Sequence, residues 1–495
     1  MRIWKKKTSP SLIQRCARSV VHTIRAIERK SLSLGSFFAT FTALVIVRMA
    51  EQQWLDGFPR YGVEGQFFEF TQTFLFFLFS LGLFVIIAYY GTHIHPRRTA
   101  NIFLIGFTII LLPPIIDTLR FETFWSYYEF AGVRDLFYAF WTVFAASPSI
   151  GITDGVRVEI VLSVLAMGAY AYMHTQRIMR SIGAAAATYV ALFFLASLPS
   201  WITICVYGWQ QGFLSVSAVQ VAQMFLTPNP ILTHAVDNVA LILHVHMSIV
   251  YVIGISVLGT FLGRRFFVAQ WRTVWCSVWR WETLAALGFV GTGLVTALAL
   301  GLQSSQILTL STFAVPALAV LLLSAALLVA GMGILRNGIA RQRSIGALLV
   351  GAALLFVTII NPFASIFFVI IFALFVLGQI EPFTLVKFYS VRLVLYVLQS
   401  IMLYLAGASV FLESLNRTVT SGRVVVFIAL IAGGVFLLSE RLSHKGVAYE
   451  RTRTITALYW FFVILASIPL FNIFWYKWSV LTCALTAFFL IRTRK

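Results

Sequence analysis

The chain has 495 residues, 60% of them hydrophobic and 11% charged, with a mean hydropathy of +0.90. Soluble globular proteins run about half apolar and a quarter charged, so this composition excludes a large water-soluble core, a disordered chain and a fibrous one. The 37 Lys and Arg outnumber the 17 Asp and Glu by 20; distributed over alternate short loops, that excess sets membrane orientation and meets anionic lipid headgroups, with no call for nucleic acid.

Residues 1–32 form a basic segment with Arg2, Lys5, Lys6, Lys7, Arg15, Arg18, Arg25, Arg29 and Lys30. Such a segment stays on the cytoplasmic side. No small-residue cleavage site follows the first apolar run, which therefore reads as a retained signal anchor. A membrane helix needs about 20 apolar residues. The first half offers spans near 33–49, 67–90, 101–116, 157–174, 183–206 and 239–262. The second half offers 283–301, 312–335, 345–360, 364–380, 393–412, 424–439, 454–471 and 477–491. The expectation is an all-α integral membrane protein of about fourteen spans. The pair 345–360 and 364–380 is divided only by Asn361, Pro362 and Phe363, so it reads either as two helices joined by a tight turn or as one long kinked helix.

Charge supports the even count. With the N-terminus inside, every second loop is basic: Arg97 and Arg98, then Arg177 and Arg180, then 264–280, then Arg336 to Arg343, then Lys387 and Arg392, then Arg441 to Arg453, then the C-terminal Arg492, Arg494 and Lys495. Both termini are expected in the cytoplasm, and the short loops suit a bacterial inner membrane. The organisation expected is the basic segment 1–32, a six-helix module over 33–263, a linker over 264–282 and an eight-helix bundle over 283–495. In the linker, Trp271, Trp275 and Trp279 recur every four residues among arginines, the pattern of a helix lying at headgroup depth. Four cysteines (Cys16, Cys205, Cys276, Cys483) lie far apart with no CxxC pair, which signals neither a disulfide framework nor a zinc site.

Acids are scarce, and six of them fall between 117 and 159. Asp117 ends the third span, Asp154 opens the fourth and Glu159 follows inside it, while Asp135 begins an aromatic stretch over 134–148 that suits an interfacial helix. Paired carboxylates work as acid and base or hold a divalent cation such as Mg²⁺. The set Asp117, Asp135, Asp154 and Glu159 is thus a candidate outer acidic site. The same residues also read structurally: Asp154 as a turn residue, Glu159 as a partner of Arg134 or Arg157. In the sixth span His244 and His246 are two residues apart and point about 200° away from each other, so they do not share a metal on a regular helix.

The last eight spans carry a family layout. Arg280-Trp281-Glu282-Thr283 opens the bundle, Phe388-Tyr389-Ser390-Val391-Arg392-Leu393 sits before the fifth helix, and Ser439 to Gly446 with Arg453-Thr454-Ile455-Thr456 forms a late basic loop. These segments, with their spacing, resemble the UbiA-type intramembrane prenyltransferases over about 280–491. The resemblance implies an eight-helix bundle with two cytoplasmic loops, here 336–346 and 440–453, that handle a prenyl diphosphate through Mg²⁺ on Asp-rich motifs. The chain departs from that pattern: no aspartate follows Asp237, and the first loop, Leu335 to Arg343, holds no acid. The resemblance therefore implies the scaffold without its usual metal site, and no cofactor is assigned. In that loop Arg336, Asn337, Arg341 and Arg343, and in the second Lys445, Arg451 and Arg453, are candidates for binding a polyprenyl or other lipid (di)phosphate directly, since guanidinium forks suit phosphate oxygens. The same residues also read as contacts to anionic headgroups or as topology signals alone. Whether the chain transfers, binds, scaffolds or transports stays open at this stage, as do any protein partners.

Overall fold

The computed structural model describes residues 12–30, 32–55, 63–120, 130–143, 152–227, 239–301, 313–378, 389–410, 428–429 and 431–434. Every regular element among them is helical. Nine of these helices are long and apolar enough to cross a membrane, and two shorter apolar helices, Glu282–Val295 and Pro362–Leu377, accompany them. The chain is a polytopic membrane protein, helical throughout its described regular elements.

In chain order the helices are α1 (Leu12–Arg29), α2 (Leu34–Leu55), α3 (Val63–Thr92), α4 (Pro96–Gly106), α5 (Leu112–Leu119), α6 (Val133–Thr142), α7 (Asp154–Thr175), α8 (Ile178–Ala196), α9 (Leu198–Gln211) and α10 (Ala218–Leu226). They continue as α11 (Val239–Phe266), α12 (Val268–Val278), α13 (Trp281–Gly301), α14 (Ala314–Asn337), α15 (Ala340–Ile360), α16 (Pro362–Leu377) and α17 (Tyr389–Ala408).

Most expected spans are recovered, with informative differences at prolines. The span near 101–116 is α4, a 3-10 turn over Phe107–Leu111 and α5 in succession. Pro113 and Pro114 lack the N–H that would continue the α ladder, and the tighter turn takes up the mismatch. The single span expected near 183–206 is divided. Helix α8 stops at Ala196, and α9 restarts with Pro199 in its first turn. Proline is tolerated at that position because its missing N–H has no helical partner. The segment 345–380 is two helices, not one kinked helix: the Asn361 side chain accepts hydrogen bonds from the N–H groups of Phe363 and Ala364 and so caps α16. The expected spans 454–471 and 477–491 lie outside the described residues, and 424–439 lies largely outside them.

The chain forms two compact units, residues 1–227 with 254–262 and residues 228–253 with 263–495. The first has an aromatic core of Phe41, Phe77, Phe84, Phe107, Met167 and Tyr170. Phe41 and Phe77 both meet Phe107, at ring distances of 5.7 Å. Helix α6 buries Leu136 and Ala139 and turns Phe137, Tyr138 and Trp141 outward. Tyr189 of α8 donates its hydroxyl hydrogen to the Phe140 carbonyl and holds α6 in place. An amphipathic helix with an outward aromatic face suits the membrane interface.

The second unit packs differently. A Cβ at Gly293 of α13 would lie 2.1 Å from the Tyr404 carbonyl oxygen, and one at Gly407 of α17 would lie 2.2 Å from that of Val290. Gly331 and Gly346 also bring α14 and α15 close: a Cβ on either would sit 2.8 Å from the other's carbonyl oxygen. Small residues let backbones approach to van der Waals contact, which drives helix association where lipid leaves no hydrophobic force. Along α12, Trp271 stacks on Trp275 at 5.7 Å and Trp275 meets Trp279 at 5.6 Å, so the tryptophan repeat of the linker forms one helical ladder.

Candidate functional site

In the first unit a cavity of about 630 Å³ lies among α1, α2, α3, α4, α7, α8 and the 3-10 turn. Sites for small molecules span roughly 300–1,000 Å³ and are mostly apolar with few polar groups. The walls fit that description: Phe76, Phe84, Phe103, Ile160, Met167 and Leu192 face the space. One end is polar, with Arg48, Gln72, Thr73 and Glu159. These residues come from the second half of α2, the first part of α3 and the second turn of α7, which meet at one level of the up-and-down bundle. The far end holds Val21 and Ile24 of α1 with Tyr170 and Met173 of α7. Glu159 and Tyr170 are eleven residues apart on one helix, which separates the two ends by about 16 Å.

The polar end is an expensive place for charge. Arg48 is only 6% exposed; it donates to Gln52 Oε1 at 3.0 Å and interacts electrostatically with Glu51 and Glu159. Glu159 also lies within electrostatic reach of Asp117. Ionisable groups inside membrane spans are retained for function or for pairing, and the Arg48–Glu159 interaction gives each a counter-charge. Most hydroxyls on these helices return to their own turn, as Ser80 does to the Phe76 carbonyl and Thr188 to that of Ala184. Thr73 differs: its Oγ1 is buried on the cavity lining with no hydrogen-bond partner.

The far end is closed by a buried polar cluster. Glu28 of α1 accepts a hydrogen bond from the Tyr170 hydroxyl at 2.8 Å and pairs with His174 Nε2 at 2.8 Å. The Lys30 carbonyl accepts from Asn101 Nδ2 at 2.7 Å. The basic N-terminal helix is thereby fastened to the bundle and supplies part of the cavity wall.

The four acids expected to form one outer site take different roles. Asp117 is buried and accepts from the Gly155 N–H at 2.7 Å and the Thr153 hydroxyl at 2.9 Å. It ties α5 to the start of α7. Gly155 is required there, because a Cβ would lie 2.5 Å from both Asp117 Oδ1 and the Pro113 carbonyl oxygen. Asp154 lies at the surface, 3.8 Å from Arg120 and 3.6 Å from Arg157. Asp135 is exposed in the first turn of α6. Glu159 alone faces the cavity. Among the described residues no three His, Cys, Asp or Glu side chains are grouped so as to hold a metal.

In the second unit a recess of about 130 Å³ is lined by Arg280, Glu282, Thr283 and Arg336, together with Ser277 and Gly333. The Thr283 hydroxyl donates to the Ser277 carbonyl at 3.0 Å, locking the start of α13 onto the end of α12. The opening segment of the expected bundle and the first residue of its first basic loop therefore share one recess. This donor set, with two arginines and a single carboxylate, does not fit Mg²⁺, which wants an oxygen shell rich in carboxylates. Arg343 Nε donates to the Gly338 carbonyl at 3.1 Å and so closes its own loop. Asn337 ends α14 and Arg341 lies in the first turn of α15. Lys445, Arg451 and Arg453 lie outside the described residues. His246 is buried and stacks on Phe313 with ring centres 4.1 Å apart, and His244, two residues before it on α11, is buried as well.

Arg48, Thr73 and Glu28 were not singled out from the sequence. Arg48 had a usable signal, an arginine inside the apolar run Leu44 to Met49. Thr73 and Glu28 had none, since only their neighbours on other helices make them unusual. No protein-family model matches the chain, and no curated protein or solved structure matches it either.

Proposed function

We propose that the chain is a UbiA-prenyltransferase-related membrane protein that handles a polyprenyl or similar long-chain lipid, without the usual Mg²⁺-dependent prenyl transfer. The observation that carries the lipid reading is the 630 Å³ cavity of the first unit. Its apolar walls suit a hydrocarbon chain, and the end that carries Arg48 and Glu159 suits a head group. The recess shared by Arg280 and Arg336 supports direct recognition of a lipid phosphate by arginine in the second unit. On this reading Lys445, Arg451 and Arg453 of the second loop join that recognition, the protein sits in a bacterial inner membrane, and both termini are cytoplasmic. A second reading is an active lipid-linked transferase that uses the first-half acids. It is favoured by Glu159, which lines the cavity as a general base would.

Thermal unfolding of the purified protein with geranylgeraniol, and with geranylgeranyl diphosphate in the presence and absence of Mg²⁺, tests the proposal. A ligand at about 100 times its dissociation constant stabilises by about 2.7 kcal/mol. Stabilisation by either lipid without Mg²⁺ is expected. Stabilisation that requires Mg²⁺ overturns the metal-free reading, and no stabilisation by any of them overturns lipid handling.

A further inference from the structure

The cavity also selects its head group. This deepens the lipid reading above and rests on it. The lining at the polar end carries one cation, Arg48, and one carboxylate, Glu159, with Glu51 acting on Arg48 and Asp117 on Glu159. Arg48 is already engaged with Gln52. A phosphate entering this end brings further negative charge towards carboxylates, in surroundings where low dielectric leaves the repulsion weakly screened. A hydrogen-bond donor meets the opposite situation. The Glu159 carboxylate faces the cavity and accepts hydrogen bonds. Thr73, 5% exposed, holds a buried hydroxyl without a partner on the same lining. Leaving such a group unsatisfied costs more than a hydrogen bond returns, so a head group that reaches it is bound preferentially.

We infer that the cavity of the first unit is a binding site for a long-chain amphiphile with a non-anionic donor head, an alcohol or an amine, read by Thr73 and Glu159 and excluding lipid phosphates. A hydroxyl donates to the carboxylate and accepts from Thr73. An ammonium donates to both and meets the carboxylate with opposite charge. The phosphate form of the same lipid is left to the arginine recess of the second unit.

The test uses the full-length protein in nanodiscs and three probes with one tail: geranylgeraniol, geranylgeranylamine and geranylgeranyl monophosphate. Dissociation constants are measured for the wild type and for Ser163→Phe, which fills the cavity from its lining. The alcohol or the amine is expected to bind at least about tenfold tighter than the monophosphate, with that binding lost in Ser163→Phe. Thr73→Val should weaken the preferred probe about fivefold, the loss of one hydrogen bond. Glu159→Gln should narrow the gap to the phosphate by about tenfold or more. Should Ser163→Phe prevent folding, the Thr73 and Glu159 variants decide alone. A monophosphate that binds as tightly as the alcohol and is equally displaced by Ser163→Phe, or equally weakened by Thr73→Val, overturns the head-group inference and leaves the lipid reading standing. Binding of all three probes that ignores every cavity variant overturns the cavity as a lipid site, and the inference falls with it.

Discussion

The two units solve the same packing problem with different materials. In the first, large aromatics form the core and buried polar ties join the helices: Glu28 with Tyr170 and His174, Asp117 with Thr153 and Gly155. In the second, Gly293, Gly407, Gly331 and Gly346 bring helix backbones into contact. The buried chamber, with Arg48 and Glu159 on its wall, lies in the first unit. The second unit offers a smaller recess with Arg280 and Arg336 on its lining.

The comparison predicts a graded response to mutation. Gly407→Leu should have the largest effect, abolishing a folded, monodisperse protein on size-exclusion chromatography, because even a Cβ there meets the Val290 backbone. Gly407→Ala should cost about 3 kcal/mol, at the upper end for overpacking, in unfolding measured in detergent. A mild effect would show that the second unit is loosely packed and would remove the contrast. Asp117→Ala follows, at about 1–3 kcal/mol, because it strands the buried Gly155 N–H and the Thr153 hydroxyl. Glu28→Gln should cost about 1–2 kcal/mol by weakening charge-assisted bonds to Tyr170 and His174. It should also raise proteolysis within residues 12–29, whereas unchanged cleavage there would show that α1 is held by its apolar face alone. Asp154→Ala and Asp135→Ala close the series, each within about 1 kcal/mol, as befits exposed acids. A loss from Asp135→Ala as large as that from Asp117→Ala would mean that the four acids act together after all.

What was legible in the sequence follows from periodicity and charge. Apolar runs of sufficient length mark a membrane helix wherever they fall, because unsatisfied backbone groups are too costly in lipid for any other spanning form except a closed barrel. The spans near 67–90, 157–174, 239–262 and 312–335 could be read for that reason. The proline breaks in α4–α5 and between α8 and α9 were harder. A proline within an apolar run either kinks a helix or starts a new one, and neighbouring helices decide which.

The candidate site divides along the same line. That Arg48 and Glu159 lie inside apolar segments, and that acids gather between 117 and 159, is a property of the sequence alone. That Asp117 turns inward to the backbone of Gly155, that Asp154 pairs at the surface and that only Glu159 among them reaches the cavity was decided by tertiary structure. One helical turn changes which neighbour a side chain meets, and linear order does not encode the neighbour. The sequence by itself determined a polytopic helical membrane protein, since bilayer insertion is governed by local hydrophobicity. The chamber, its unpartnered threonine and the pairing of Arg48 with Glu159 arise only where α2, α3 and α7 come together.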